Sequence, residues 1–195
     1  MNLPNKLTMS RILLIPVFMV VLYWGFPGAD YVALAIFIVA SLTDLLDGKI
    51  ARKYNLVTDF GKFADPLADK MLVTAALLWF VEQGRMSAWM LLIVICREFA
   101  VSGLRMIAAD KGIVIAAGWS GKVKTAATMV CIAVMLFIAP MVEEAVTWML
   151  FSSQYPAPKP AILWVDPVCT WIITLTTIYS GVEYFLKNRG VIQSA

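Results

Sequence analysis

The chain has 195 residues, of which 61% are hydrophobic, and its mean hydropathy is +0.81. Soluble domains are roughly 45–50% apolar, so this composition excludes an ordinary soluble fold and indicates an integral membrane protein. The formal net charge of +3 suits anionic lipid headgroups or phosphorylated substrates, and it does not indicate nucleic acid as a partner.

The sequence contains no histidine. Serine–histidine catalysis, phosphohistidine intermediates and imidazole ligation of zinc are therefore excluded, because each of them needs an imidazole. Aspartate and glutamate remain as the plausible proton acceptors near neutral pH. Any catalytic metal should be a hard ion that is bound by oxygen atoms.

The apolar residues occur in long runs between short polar clusters, which favours membrane-spanning helices over a β-barrel. We therefore predict an all-α integral membrane protein, a bundle of six transmembrane helices that forms a single domain over residues 1–195. The six spans are predicted, in chain order, at Ser10–Gly25, Tyr31–Ala51, Lys62–Val81, Ala88–Ala109, Val123–Glu143 and Leu163–Phe185.

The basic residues indicate the orientation of this bundle. If the side that carries Asp44–Asp69 faces the cytoplasm, only Arg85 and Lys159 of the 16 Lys and Arg residues lie in the opposite loops, which leaves 14 inside. By the positive-inside rule, this side and both chain termini are cytoplasmic. The predicted location is a cell membrane.

Carboxylates and small residues share one face of the second span. With a rotation of about 100° per residue, Asp44 and Asp47 project from the same side of the helix as Gly48, Ala51 and Arg52. The two carboxylates can reach one ion, and the small residues leave room for a bulky headgroup. The arginine offers a planar fork for phosphate.

The third span repeats this pattern. Asp65 and Asp69 are four residues apart and therefore lie on one face, with Gly61 one turn earlier. Pro66 either starts the helix, with Asp65 as its cap, or lies within a distorted first turn. A short connection between the two spans would bring all four carboxylates together.

Four carboxylates beside an apolar stretch need a counter-charge, and a divalent metal is the favoured one. Carboxylates at membrane depth are costly, so such a cluster predicts a functional site. The alternative is a set of structural salt bridges. The cations available for it are Lys49, Arg52, Lys53, Lys62 and Lys70.

The two spans carry a recognisable motif. The run from Asp44 to Arg52, followed by eight residues and then by the run from Gly61 to Asp69, resembles the signature of the CDP-alcohol phosphatidyltransferases, D-x-x-D-G-x-x-A-R-x8-G-x-x-x-D-x-x-x-D. All eight fixed positions match. The resemblance implies a six-helix membrane enzyme that uses CDP-diacylglycerol and two divalent ions, Mg²⁺ or Mn²⁺, and that forms a homodimer.

The resemblance also implies roles for the aspartates. Asp44, Asp47 and Asp65 would bind the first metal ion. Asp44, Asp65 and Asp69 would bind the second one, and Asp69 would also act as the catalytic base.

Further positions of the motif would contact CDP-diacylglycerol by the same resemblance. These are Gly48, Arg52 and the hydroxyl group of Thr58. The amino-terminal segment from Asn5 to Thr8 resembles the part of the family that contacts the nucleotide. Helix capping before the first span is an equally good explanation of its polar residues.

A second group of charges lies on the fourth span and at the start of the fifth span. Arg97, Arg105, Lys122 and Lys124 are predicted to form a phosphate pocket for the acceptor substrate. The alternative is that Glu98 and an arginine neutralise each other inside the bundle. The excess of positive charge still needs an anion, so the cluster favours a phosphorylated acceptor such as glycerol 3-phosphate over serine, choline or free inositol.

Three segments resemble the members of the family that use glycerol 3-phosphate, namely Asn2–Arg11, the Arg97–Glu98 pair and Gly121–Thr125. A member with another acceptor, inositol phosphate or phosphatidylglycerol, is the alternative within the family. An ion-coupled transporter is the alternative outside it, because transporters also place carboxylates and arginines in the membrane.

Overall fold

The computed structural model describes residues 3–53, 59–110, 112, 115, 118–151 and 161–189. In some helical segments it describes the backbone only. These segments are residues 3–8, 44–53, 59–69, 110, 144–145, 148–151 and 161.

Six α-helices make up the described chain. They are α1 (Leu3–Trp24), α2 (Ala29–Lys53), α3 (Asp59–Glu82), α4 (Ala88–Asp110), α5 (Trp119–Phe151) and α6 (Val165–Lys187), and a 3-10 turn at Ala161–Trp164 precedes α6. Each predicted span overlaps one of these helices, so the predicted all-α fold class is confirmed. Gly25 and Gly28, with φ values of 59° and 88°, form the turn between α1 and α2, a conformation that residues with a side chain rarely adopt.

Two described helical segments are long and apolar enough to cross a membrane, Trp119–Glu143 and Ile162–Lys187. Met9–Trp24 and Ala29–Thr43 are apolar helical segments of shorter length. The prediction of six spans therefore stays a prediction, while the two long apolar helices are consistent with a membrane protein.

The start of α3 resolves one alternative that the sequence leaves open. The helix begins at Asp59, so Pro66 is its eighth residue, and both predicted placements of Pro66, at the start of the helix and within its first turn, are wrong. Asp65 is consequently an interior helix position and not a cap. Because proline has no backbone N–H, the helix passes through this position without the hydrogen bond that another residue would donate.

The helices group into two compact units. Unit 1 consists of residues 1–79 and 133–163. In it, α1 packs on α2, with the rings of Phe18 and Phe37 both buried and their centroids 6.5 Å apart. Ala33 and Ala40 are fully buried on α2, and their small side chains allow close packing of helices.

Unit 2 consists of residues 80–132 and 164–195. Its α4 and α6 are in contact. Val101, Leu104 and Ala108 of α4 form a buried cluster with Tyr184 of α6. This packing of α4 on α6 positions the charged residues that are described below.

A salt bridge joins the turn between α3 and α4 to the first turn of α6. Arg85 donates from Nε to Oδ2 of Asp166 at 2.7 Å and from Nη2 to Oδ1 at 2.8 Å. The two side chains are only 12% and 8% exposed, and the guanidinium lies 5.2 Å from the centroid of the Phe80 ring. The two parallel hydrogen bonds fix the beginning of α6 beside the beginning of α4.

Candidate active site

The acidic motif lies on two successive helices of unit 1. Asp44 and Asp47 belong to the carboxyl-terminal half of α2, and Asp65 and Asp69 belong to the amino-terminal half of α3. Because the backbone is helical at all four positions, spacings of three and four residues place each pair on one face of its helix. Their side chains lie outside the described residues, so their role as metal ligands stays a prediction.

The predicted CDP-diacylglycerol contacts fall in the same part of the chain. Gly48 and Arg52 lie in the last two turns of α2, and Asn5 and Thr8 lie in the first two turns of α1. For these four positions the structure gives the helical backbone only, and Thr58 lies outside the described residues. Their contacts with the lipid nucleotide also stay predictions.

The second predicted group of charges is described in side-chain detail in unit 2. Lys124 of α5 donates from Nζ to Oε1 of Glu98 at 2.5 Å, and Arg97 donates from Nη1 to the same oxygen at 3.2 Å. The side chain of Lys124 is 6% exposed, that of Glu98 is 23% exposed and that of Arg97 is 13% exposed. Two formal positive charges therefore share one carboxylate in a largely buried place.

The contacts of the Glu98 carboxylate agree in part with each of the two interpretations of these charges, the structural ion pair and the phosphate pocket. Glu98 partly neutralises its neighbours, as the structural alternative predicts. Among the side chains that the structure describes, one formal positive charge is nevertheless left over at Arg97, Glu98 and Lys124, and an uncompensated buried charge is unfavourable. An anion that joined this group would complete its charge balance.

The first turn of α5 lies next to the Arg97 guanidinium. A Cβ atom added at Gly121 would be 3.8 Å from Nη2 of Arg97, so only a glycine hydrogen separates the helix backbone from this end of the guanidinium. The first backbone N–H groups of a helix have no partner within it, and the helix dipole favours negative charge there. Both features favour an anion beside Arg97.

The other two predicted acceptor residues are more exposed. Arg105, about two turns along α4 from Arg97, donates from Nε to the Tyr184 hydroxyl at 3.2 Å, and its guanidinium carbon lies 5.5 Å from the centre of that ring. Lys122 is exposed in the first turn of α5. The structure thus joins Arg97 and Lys124 through Glu98 and holds Arg105 against α6.

Sequence reasoning missed the polar face of α6. Ser180 is 1% exposed and accepts a 2.6 Å hydrogen bond from Nη2 of Arg97, and Tyr184 is 7% exposed. A signal for this face exists in the sequence, since hydroxyl residues recur every three or four positions along an apolar helix. The buried members of this row are Thr170, Thr174, Thr177, Ser180 and Tyr184.

The fold and the motif together define a class, an all-helical membrane protein with an acidic motif on two successive helices and basic side chains between three others. The profile of the CDP-alcohol phosphatidyltransferase family matches residues 1–182. The chain therefore belongs to the CDP-alcohol phosphatidyltransferase family.

Three relatives carry the name CDP-diacylglycerol--glycerol-3-phosphate 3-phosphatidyltransferase. The protein of Bacillus subtilis (strain 168) is 41% identical over 206 aligned residues, which cover 100% of this chain and 98% of the relative. The protein of Salmonella paratyphi A is 43% identical and covers 97% of this chain and 96% of its own length. The protein of Rickettsia bellii is 34% identical, with 94% and 93% covered.

Proposed function

We infer that this chain transfers the phosphatidyl group of CDP-diacylglycerol to glycerol 3-phosphate and yields phosphatidylglycerophosphate and CMP. The observation that carries this function is the 41% identity over the whole chain with the Bacillus subtilis enzyme of that name. The phosphorylated acceptor that the charges of unit 2 favour is the same one that this name contains.

The chemistry requires one bond to form and one to break. A hydroxyl oxygen of glycerol 3-phosphate attacks the phosphorus that carries diacylglycerol, and the bond from this phosphorus to the CMP oxygen breaks. The hydroxyl proton passes to the carboxylate of Asp69, the base that the resemblance to the family implies, and the absence of histidine from the chain is consistent with a carboxylate in this role.

The acidic motif fits a hard divalent ion in its donor chemistry. Asp44, Asp47, Asp65 and Asp69 offer only carboxylate oxygens, which Mg²⁺ and Mn²⁺ prefer. When they are bound, two such ions supply neutralisation of the pyrophosphate and of the CMP that leaves. Gly48, Arg52, Thr58 and the segment from Asn5 to Thr8 would hold the CDP-diacylglycerol around them.

The basic side chains of unit 2 would hold the acceptor by its phosphate. Arg97 and Lys124 contribute the formal charge that Glu98 leaves over, and Arg105 and Lys122 contribute further donors. The start of α5 beside Arg97 adds backbone N–H groups for the same anion. Serine, choline or inositol would leave this charge without a partner, so the site favours a phosphorylated acceptor over a neutral one.

The decisive assay uses the purified protein with CDP-diacylglycerol and Mg²⁺ or Mn²⁺. Release of CMP should require glycerol 3-phosphate, and the lipid product should be phosphatidylglycerophosphate. Inositol phosphate and phosphatidylglycerol, offered in turn, should give little CMP. Release with one of these and not with glycerol 3-phosphate would reassign the acceptor, and no release with any acceptor would contradict the proposed transfer.

Replacing Arg105 by alanine should raise the KM for glycerol 3-phosphate about tenfold or more, the cost of losing a hydrogen bond to a charged group. The KM for CDP-diacylglycerol should change far less, because Arg105 belongs to the acceptor group. Steady-state kinetics with each substrate varied in turn measure this difference. Arg189→Ala removes an exposed arginine elsewhere and is the matched control; equal effects of Arg105→Ala on both KM values would contradict the assignment.

The same proposal includes the wider setting of the enzyme. The active site and both termini face the cytoplasm of a bacterial-type cell, because 14 of the 16 Lys and Arg residues then lie inside. Six spans and one catalytic domain over residues 1–195 are consistent with the family match, which covers residues 1–182 and includes parts of both compact units. The homodimer is proposed from the resemblance to the family alone.

A further inference from the structure

Helix α6 has a glycine, Gly181, where it contacts Arg97 of α4. A Cβ atom added at Gly181 would lie 3.1 Å from Cγ of Arg97, closer than most carbon–carbon contacts in folded proteins. The aliphatic part of Arg97 therefore crosses α6 at the one residue of that turn that has no side chain. Any larger residue would force the arginine to move.

The guanidinium group of Arg97 is held by Ser180, the residue that precedes Gly181. Ser180 is 1% exposed, and its Oγ accepts the 2.6 Å hydrogen bond from Nη2 of Arg97. Glu98 accepts from Nη1 on the other branch. Because both terminal nitrogens have fixed acceptors, the guanidinium plane has a defined orientation before any ligand arrives.

Tyr184, one turn further along α6, does the same for Arg105. Its ring is fixed by burial against Val101, Leu104 and Ala108, so its hydroxyl group offers Arg105 an acceptor in a constant position. An exposed arginine otherwise samples many rotamers, and ordering it costs binding free energy. A rigid acceptor removes part of that cost in advance.

We propose that Ser180, Gly181 and Tyr184 form an arginine seat on α6 that positions Arg97 and Arg105 for the phosphate of the acceptor. The seat consists of positioning residues, which act through the arginines and not on the substrate. The proposal rests on the proposed function, since it assigns how the acceptor site of that reaction is organised. It predicts that the seat sets the affinity for glycerol 3-phosphate and not the affinity for CDP-diacylglycerol.

Three small substitutions test the seat, each with a matched control on the same two helices. Ser180→Ala and Tyr184→Phe remove one oxygen each, and Gly181→Ala adds one carbon.

Each variant has a control of the same chemical kind. Thr176→Ala and Tyr179→Phe remove hydroxyl groups at the surface of α6. Gly103→Ala adds a carbon on α4, where an added Cβ meets nothing within 4 Å. Ser180→Ala and Tyr184→Phe should each raise the KM for glycerol 3-phosphate about tenfold, the factor expected for a hydrogen bond to a charged group. Gly181→Ala should raise the same KM because the added carbon displaces Arg97.

The KM for CDP-diacylglycerol should stay near the wild-type value in all six variants, and the apparent Tm of Ser180→Ala and Tyr184→Phe should fall by no more than a few degrees, the cost of one hydrogen bond. A seat with a merely structural role would instead lower the Tm or the fraction of active enzyme and leave the KM for glycerol 3-phosphate unchanged. That outcome, or equal changes in both KM values, would overturn the proposal. Tyr184→Phe and Ser180→Ala preserve the packed volume, so they report on the seat even if Gly181→Ala fails to fold.

A double-mutant cycle separates action through Arg97 from every other effect. If Ser180 acts through this arginine, Ser180→Ala should have no further effect on the KM in an Arg97→Ala background. Additive effects would overturn the proposal. Failure of the proposed function is distinguishable, because the wild-type protein would then release no CMP with glycerol 3-phosphate, whereas failure of the seat leaves wild-type activity intact.

Discussion

Replacing Asp69 by asparagine is expected to lower kcat about a thousandfold, within the range for loss of a general base. Asparagine has nearly the same shape but cannot take the proton of the acceptor hydroxyl, and its amide is a poorer metal ligand than a carboxylate. Binding of CDP-diacylglycerol should decrease less than turnover, because the other aspartates of the motif remain. Release of CMP and equilibrium binding of the lipid nucleotide measure the two effects separately.

Asp30→Asn makes the same chemical change in the first turn of α2, at the other end of the helix from the motif. It should leave kcat within about twofold of the wild-type value, as for a residue outside the catalytic groups. An Asp69→Asn protein that kept a near-normal rate would remove Asp69 as the base.

Loss of the salt bridge between Arg85 and Asp166 should have the largest effect on stability. Breaking a buried ion pair by removing one partner costs about 3–5 kcal/mol, since the other charge stays buried without compensation. For a chain of this size, Arg85→Ala should therefore lower the apparent Tm by roughly 10 °C. Thermal unfolding of the purified protein in detergent measures this shift.

Kinetics at low temperature should remain near normal for the Arg85 variant. Arg105 lies 17 residues beyond the first residue of α4, a rise of about 26 Å along the helix. Lys187→Ala is the control, because it breaks the exposed ion pair with Glu183, and such pairs contribute little. A Tm shift of Arg85→Ala no larger than that of the control would contradict a stabilising role for the salt bridge.

The helical fold could be predicted because its cause is local. Long apolar runs without alternation leave the helix as the structure that satisfies every backbone group in a membrane, and each of the six predicted runs overlaps one of the six α-helices in the described part of the chain. The ends of helices were less predictable. Helix α5 continues through Pro140 to Phe151, beyond the predicted end at Glu143, and α3 begins at Asp59 instead of Lys62.

The two parts of the candidate site also differ in whether their cause is local in the sequence. The placement of each aspartate pair on one helix face could be predicted because positions three and four residues apart are neighbours within a single helix, while the role of these aspartates as metal ligands stays a prediction. The arginine seat could not, because its hydrogen bonds join residues 83 and 79 positions apart in sequence. Such contacts depend on how α4 packs on α6, and no local pattern determines that packing.

The carboxylate of Glu98 affects both the binding and the release of a negatively charged substrate. Because it already serves Arg97 and Lys124, these cations have a resident anion before an acceptor arrives. A phosphate that binds there joins a carboxylate that already balances one of the two positive charges, so it is attracted by one net charge and not by two, and its affinity stays moderate. Product release is then easier, since the cations that the departing anion leaves keep a counter-ion that belongs to the protein itself.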